Sequence, residues 1–436
     1  MKKILILLLI TSSLFSKAQQ PLKYLIKTGK LFDSERGIFL SGMNILVNGS
    51  RIEEVKKDKD VTSEEKKNYK LVDLSDKVVT PGLIDSHTHL LFREELHAGM
   101  DYATMSLVNS LTMQGDAYRA IYGSVRAKAY LQAGITAVQD LGNSGKFGDV
   151  ALRKTIDEGL TPGPRMRCAG QGLSSEGGQL PGLIYQHRDI AQGEYRIVKG
   201  VDDARQAVRE NVNQGADVIK VYSNNTPNRT ALSVEEMQTI VKEAHRYGIR
   251  VTAHATDDEA VRNAVIAGVD GIEHGYDISD TTLALMAAKK VYLIPTDGDK
   301  QTFLAYAGIV YPNDKNSDQQ ITRFRARYIE RLKRALKAGV PVAFGSDDYI
   351  DVKMPFAELS KRTLIGYFEA GIPVTQILQF ATINASRQLN WSENIGIIKR
   401  GYYADIVAFD NSLTSNIEAI LNSRFVMKDG IIYKAK

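Results

Sequence analysis

Four stretches of this chain carry a helical pattern that ends in glycine and runs straight into a β-prone segment: "AYLQAGI", "AHRYGIR", "AVIAGVD" and "ALKAGVP". Glycine after a helix takes the left-handed cap that other residues resist, so each stretch reads as helix, stop, strand. The same alternation spans the middle of the chain. Its candidate strands are "GLIDSHTHL", "ITAVQDLG", "RMRCAG", "DVIKVYS", "RVTAHA", "GIEHG", "VYLIPT" and "VPVAFGSDD". Strands alternating with helices imply an α/β fold with a parallel sheet, and eight of them favour closure into a (β/α)8 TIM barrel. That barrel is expected over residues 82–390. Residues 19–81 and 391–436 contain short β-type runs with turn signals at Asn48-Gly49 and Asp429-Gly430, and are expected to form one small β-sandwich domain from both termini.

Hydrophobic residues make up 43% and charged residues 25%, so a sizeable core needs no covalent staples. Cys168 is the single cysteine; no intramolecular disulfide can form, and it reads as a small core residue. Residues 1–18, "MKKILILLLITSSLFSKA", have a basic start, a short apolar run and small residues at Ser16 and Ala18. They read as a signal peptide, which makes the protein exported, periplasmic or secreted. The apolar run falls short of the roughly 20 residues a membrane span needs. Losing Lys2, Lys3 and Lys17 with the signal takes the net charge from +5 to +2, which argues against a nucleic-acid partner, and removal of the signal leaves no expected membrane association.

The polar residues on the expected strands share one property. His87 and His89 on the first, Lys220 on the fourth, His254 on the fifth, His274 on the sixth and Asp347 on the eighth all lie at or near C-terminal strand ends, where a barrel carries its active site. Singly, each has a structural explanation: a hydrogen-bonded histidine, a snorkelling lysine, a capping aspartate. Together they point to a metal site, because four of the seven histidines would otherwise meet at one rim by chance. His245 lies on the polar side of a helix, and His97 and His187 lie in long excursions after strands (90–124, 171–200 and 297–320) that are candidate substrate walls. Histidine and carboxylate donors suit zinc and its neighbours. Lys220 fits only if burial makes its amine neutral and carbon dioxide converts it to an anionic carbamate, or if it is not a ligand.

With these residues in order, the chain resembles the amidohydrolase superfamily, metal-dependent hydrolases on a distorted barrel with a small β-sandwich. It is similar in particular to the branch of imidazolonepropionase-like proteins and Xaa-Pro or Xaa-Arg dipeptidases. The pieces that carry the resemblance include "TPGLIDSHTHL", "DEGLTPGPRMRCAG", "GADVIKVYS", "GVPVAFGSDD" and "IGIIKRGYYADIVAFD". The resemblance implies two divalent metal ions, zinc by preference. His87 and His89 would bind one with Asp347 beside it, and His254 and His274 the other. N6-carboxylysine at Lys220 and a hydroxide would bridge them. One departure stands out: where related sequences often carry histidine after a paired glycine, this chain reads "SSEGGQLPG", with Gln179.

The expected reaction is hydrolysis of an amide, peptide-type C–N bond in small substrates such as dipeptides or N-acyl amino acids, with Asp347 as catalytic base and acid. Tyr222, two residues beyond Lys220 and on the same face, is a candidate substrate donor, as are Gln179 and His187. The alternatives are a cyclic amide or imide, lactone or organophosphate hydrolase, a mononuclear deaminase, and a non-catalytic binding protein. The expected partner is a small-molecule substrate, with homo-oligomerisation left open.

Overall fold

The expected strands follow one another in space as they do in sequence. The structure, a computed structural model, describes residues 22–99, 104–180, 182–226 and 228–435, so the segment read as a signal peptide lies outside the described residues. Strands β1 (Leu83–Thr88), β2 (Ile135–Asp140) and β3 (Arg165–Cys168) pair in parallel. So do β4 (Val218–Tyr222), β5 (Arg250–Ala255), β6 (Gly271–His274) and β7 (Tyr292–Ile294). The Asp217 N–H donates to the Cys168 carbonyl at 2.8 Å, joining β3 to β4. The eighth segment, 341–344, makes no extended ladder; it bonds to Leu293 on one side and receives the Ser86 N–H at the Phe344 carbonyl on the other. The main-chain bonds therefore run full circle back to β1.

Between strands the helices behave as their sequence periodicity requires. Helix Val234–Arg246 starts at a Ser233/Glu236 capping box and buries Met237, Ile240, Val241 and Ala244, one face at i, i+3, i+4, i+7 spacing. Gly134, Gly248, Gly268 and Gly339, the four expected helix stops, all have φ between 69° and 97°. Cys168 is fully buried. All three excursions gain structure of their own, and residues 90–124 hold the strand Glu94–Glu95 and the helix Thr104–Asn109. Residues 171–200 add Gly172–Ser174 paired with Tyr195–Ile197, and residues 297–320 contain the helix Lys300–Val310. Among the described residues no helix is long and apolar enough to cross a membrane.

Both termini meet in one eight-stranded sheet. Strands Phe425–Lys428 and Ile406–Asp410 bring the C-terminal end against Lys70–Pro81, which pairs with Lys23–Asp33 and so with the N-terminal hairpins. Asp429 and Gly430, both at positive φ, form the expected two-residue turn. The other hairpin turns one residue later than the Asn-Gly signal suggests. Asn48 pairs with both Lys23 and Arg51, so the loop is Gly49-Ser50. The seam between sheet and strand ring is charged: Arg165 of β3 forks onto Asp405 (2.9 and 3.2 Å), and its guanidinium and that of Arg51 lie 3.7 and 3.6 Å from the centre of the Tyr403 ring.

Candidate metal centre

Strand alternation carries most of the site. The parallel registers place Lys220 beside Thr252, Tyr222 beside His254 and His254 beside Glu273, so these side chains share the inner face of the ring. His87 lies one residue before the end of β1 on the same side, and His89 follows just beyond the strand. The Nδ1 of each is already engaged: Glu273 Oε2 lies 2.7 Å from that of His87, and the Gly142 carbonyl 2.8 Å from that of His89. The two Nε2 atoms therefore turn toward each other, 3.2 Å apart, with Asp347 Oδ1 at 3.3 and 3.0 Å. Neighbouring ligands on a tetrahedral zinc with bonds of about 2.0–2.1 Å stand roughly 3.3 Å apart. Three donor atoms at that spacing fit one divalent cation, and the partners on Nδ1 are what orient ligating imidazoles.

His254, His274 and Lys220 border the same cavity of about 350 Å³. The His254 and His274 rings are 4.6 Å apart, and His274 is 5.2 Å from His87. Burial, reinforced by the charge of Lys220, holds His87 and His254 well below the ordinary histidine value, and burial does the same to His274. Burial also lowers the Lys220 amine, against the pull of Glu273 and Asp347. These shifts move the three imidazoles and the amine toward the neutral forms that metal ligation and carbamate formation require, whereas for His89 burial acts downward but Asp347 outweighs it and raises the ring. For Asp347 burial acts upward, yet the facing histidines outweigh it and lower the carboxyl.

His274 joins this group by a backbone device. Alternation along β6 points Glu273 inward and should send His274 out, but His274 has φ of 70°, which ends the strand and turns its ring back to the cavity. Asp347, at φ 57°, is set the same way after the eighth segment, its N–H bonded to the His87 carbonyl at 2.8 Å. Left-handed non-glycine residues cost about 1–3 kcal/mol and collect at functional sites.

The other expected contacts divide. Gln179 reaches the cavity, its side-chain amide nitrogen 3.0 Å from His254 Nε2, and Tyr222 lines the wall against the same ring. His187 does not reach it: it is exposed on the 3-10 segment Tyr185–Gly193, whose turn faces solvent. His245 pairs with Asp270 at the surface, and His97 is exposed. Sequence reasoning missed Glu273, fully buried beneath His87 and hydrogen-bonded by Thr252. Burial pushes its carboxyl up to about 7. Its signal was an acid inside the apolar run "GIEHG", adjacent to a candidate ligand. Missed too were Asn143, Tyr195, Tyr276 and Tyr349 on the cavity wall, whose loop and strand-edge positions give no periodic signal.

The family model described as "Amidohydrolase family" matches residues 78–433, from the last strand before β1 to the final strand. The chain belongs to the amidohydrolase family. It is an enzyme, a metal-dependent amidohydrolase acting on carbon–nitrogen bonds. This amidohydrolase is 27% identical to ochratoxinase of Aspergillus niger over 384 residues, covering 82% of this chain and 76% of that one. It is 22% identical to imidazolonepropionase of Shouchella clausii over 431 residues, 92% and 88% of the two chains. Among solved structures it is similar to an Xaa-Pro dipeptidase with methionine bound in the active site, with a TM-score of 0.80, 25% identity, and coverage of 95% and 100%.

Proposed function

We propose that this amidohydrolase is an exported binuclear-metal hydrolase that cleaves an amide bond in small peptides or N-acyl amino acids. In this reading the strand ring is a distorted (β/α)8 barrel over 82–390, and 19–81 with 391–436 form a terminal β-sandwich. The observation that carries the metal reading is the convergence of His87 Nε2, His89 Nε2 and Asp347 Oδ1 at tetrahedral ligand spacing, with His254, His274 and Lys220 on the same cavity. Those residues, with Lys220 as N6-carboxylysine, would hold two zinc ions. The ions would supply a lowered pKa for the attacking water and polarisation of the carbonyl.

The chain's own groups do the rest. The Asp347 carboxylate accepts the proton of the attacking water and delivers it to the leaving nitrogen, so that the amine departs neutral. Glu273 holds the His87 ring through Nδ1 and keeps Nε2 aimed at the site. Tyr222, packed 5.4 Å from His254, offers its phenol to the substrate carbonyl. The substrate class draws support from the names of the relatives, a dipeptidase among them. Export rests on residues 1–18 and is tested by N-terminal sequencing of the mature protein, where Gln19 is the expected first residue.

A mononuclear reading has one observation in its favour. Among the described histidine, cysteine, aspartate and glutamate side chains, only His87, His89 and Asp347 bring three donor atoms within 4.8 Å of one another. Elemental analysis of active protein separates the two: two metal equivalents and a carbamate signal at Lys220 support the binuclear site, one equivalent the other. Asp347→Asn is expected to lower kcat by a factor of at least about 100 while His87 and His89 still retain metal. Near-wild-type turnover in that variant removes Asp347 from its role.

A further inference from the structure

Two of the three converging donors hang from chain that regular strand pairing does not hold. His89 lies beyond the end of β1, and Asp347 follows the eighth segment, which makes no extended ladder. Asp347 is also in the left-handed region, a conformation that persists only where its surroundings enforce it. Yet His89 Nε2 and Asp347 Oδ1 stand 3.0 Å apart. That spacing has little tolerance, because the bond lengths of a bound cation fix how far apart its ligands stand.

Arg126 reaches both stretches. It sits on the helix Gly115–Gln132 and is 3% exposed. Its Nη1 donates to the carbonyl of His89 itself at 2.7 Å, to that of Phe92 at 2.8 Å and more weakly to that of Leu90 at 3.4 Å. Its Nη2 donates to the carbonyl of Asp348, the residue after Asp347, at 2.6 Å. One planar group thus bonds the main chain of one candidate ligand and the main chain next to another. The two nitrogens share a rigid, delocalised frame, so covalent geometry sets the distance between those carbonyls. Among the described residues, the main-chain contacts that otherwise join the two stretches fall at Ser86, His87, Thr88 and Glu94, not at His89. Compensation of the buried charge comes from Asp348, whose Oδ1 lies 3.3 Å from Nη2 and whose other oxygen accepts from the Tyr130 hydroxyl at 2.6 Å. The Asp347 carboxylate is left to face the histidines.

We infer that Arg126 is a positioning residue of the metal centre, which holds His89 and Asp347 at ligand spacing and thereby sets the affinity of the site for a divalent cation. The inference rests on the metal site at His87, His89 and Asp347, and adds to it a residue that touches neither cation nor substrate.

The test strips the purified protein of metal and titrates zinc in competition with a chromophoric chelator, following the zinc equivalent that His89→Ala loses. Arg126→Lys keeps a positive charge beside Asp348 but not the fork; its zinc affinity is expected to fall by about 10- to 100-fold, as for other groups that orient ligands. Arg126→Gln/Asp348→Asn removes both charges together, so no carboxylate is stranded if the lysine variant does not fold, and the same fall is expected. Arg165→Met loses a fork onto Asp405 at the seam with the terminal sheet and is the control for lost stability. It should bind zinc as wild type does. Wild-type affinity in either Arg126 variant overturns the inference. An equal fall in Arg165→Met overturns it too, because lost stability alone would then explain the effect. So does failure of both Arg126 variants to fold, since the guanidinium would then serve the fold as a whole. A wild type that takes up no zinc is a separate failure, that of the metal site itself, and the inference falls with it.

Discussion

Replacing Arg165 with methionine removes the guanidinium that ties the strand ring to the terminal sheet through Asp405 and, beside it, Asp429. The guanidinium forks onto both carboxylate oxygens of Asp405 at 2.9 and 3.2 Å and stacks 3.7 Å from the Tyr403 ring centre, and its partner carboxylate is only 5% exposed. Methionine keeps much of the apolar stem but strands that carboxylate. Removing one partner of a buried ion pair costs about 3–5 kcal/mol, and the lost stacking adds about 0.5–1 kcal/mol. The sign of the pH dependence follows from Asp405 itself. Burial already raises its carboxyl above the ordinary value of 3.8, with Arg165 opposing, so the variant's carboxyl rises further. A carboxyl raised by folding binds more protons in the native state, so stability falls as pH climbs through that interval. The deficit of Arg165→Met against wild type should therefore be largest near pH 8 and shrink toward pH 5. Denaturant titrations followed by Trp391, the single tryptophan and packed over Arg167 near this seam, measure it. A loss below about 1 kcal/mol at pH 8, or a deficit independent of pH, refutes the assignment.

Three further outcomes are expected. Glu273→Gln should weaken metal binding at the His87 site by about 10- to 100-fold, measured by competition with a chromophoric chelator, because the group that orients the imidazole loses its charge. Tyr130→Phe removes the hydroxyl that donates to Asp348 at 2.6 Å inside the core, and equilibrium unfolding should show a loss of about 1.5–3 kcal/mol. For Asp351, burial acts upward, but hydrogen bonds from Lys353 and Arg93 outweigh it and bring the carboxyl down to about 2. A carboxyl lowered by folding stabilises above its unfolded value near 3.8, and that contribution disappears as pH falls through 2; Asp351→Asn should lack this acid slope, and an unchanged slope would show that the pair is not felt.

Local pattern set a good deal of this molecule. Glycine stops after helices, apolar faces at helical spacing and period-two strands are properties of a few consecutive residues, and they were legible as the order of helices and strands. The same period places Lys220 and Tyr222 on one face, and the register between strands then sets His254 beside Tyr222. Tertiary structure decided what locality cannot express. His274 reaches the site only because its backbone turns left-handed at the end of β6, and Asp347 only because its main chain is bonded to His87 across the ring. The pairing of Glu273 with His87 joins residues 186 positions apart, and Gln179 meets His254 across 75. Periodicity reports which face a side chain occupies, but the sign of φ where a strand ends, and which distant group lies opposite, are settled only when the whole ring packs.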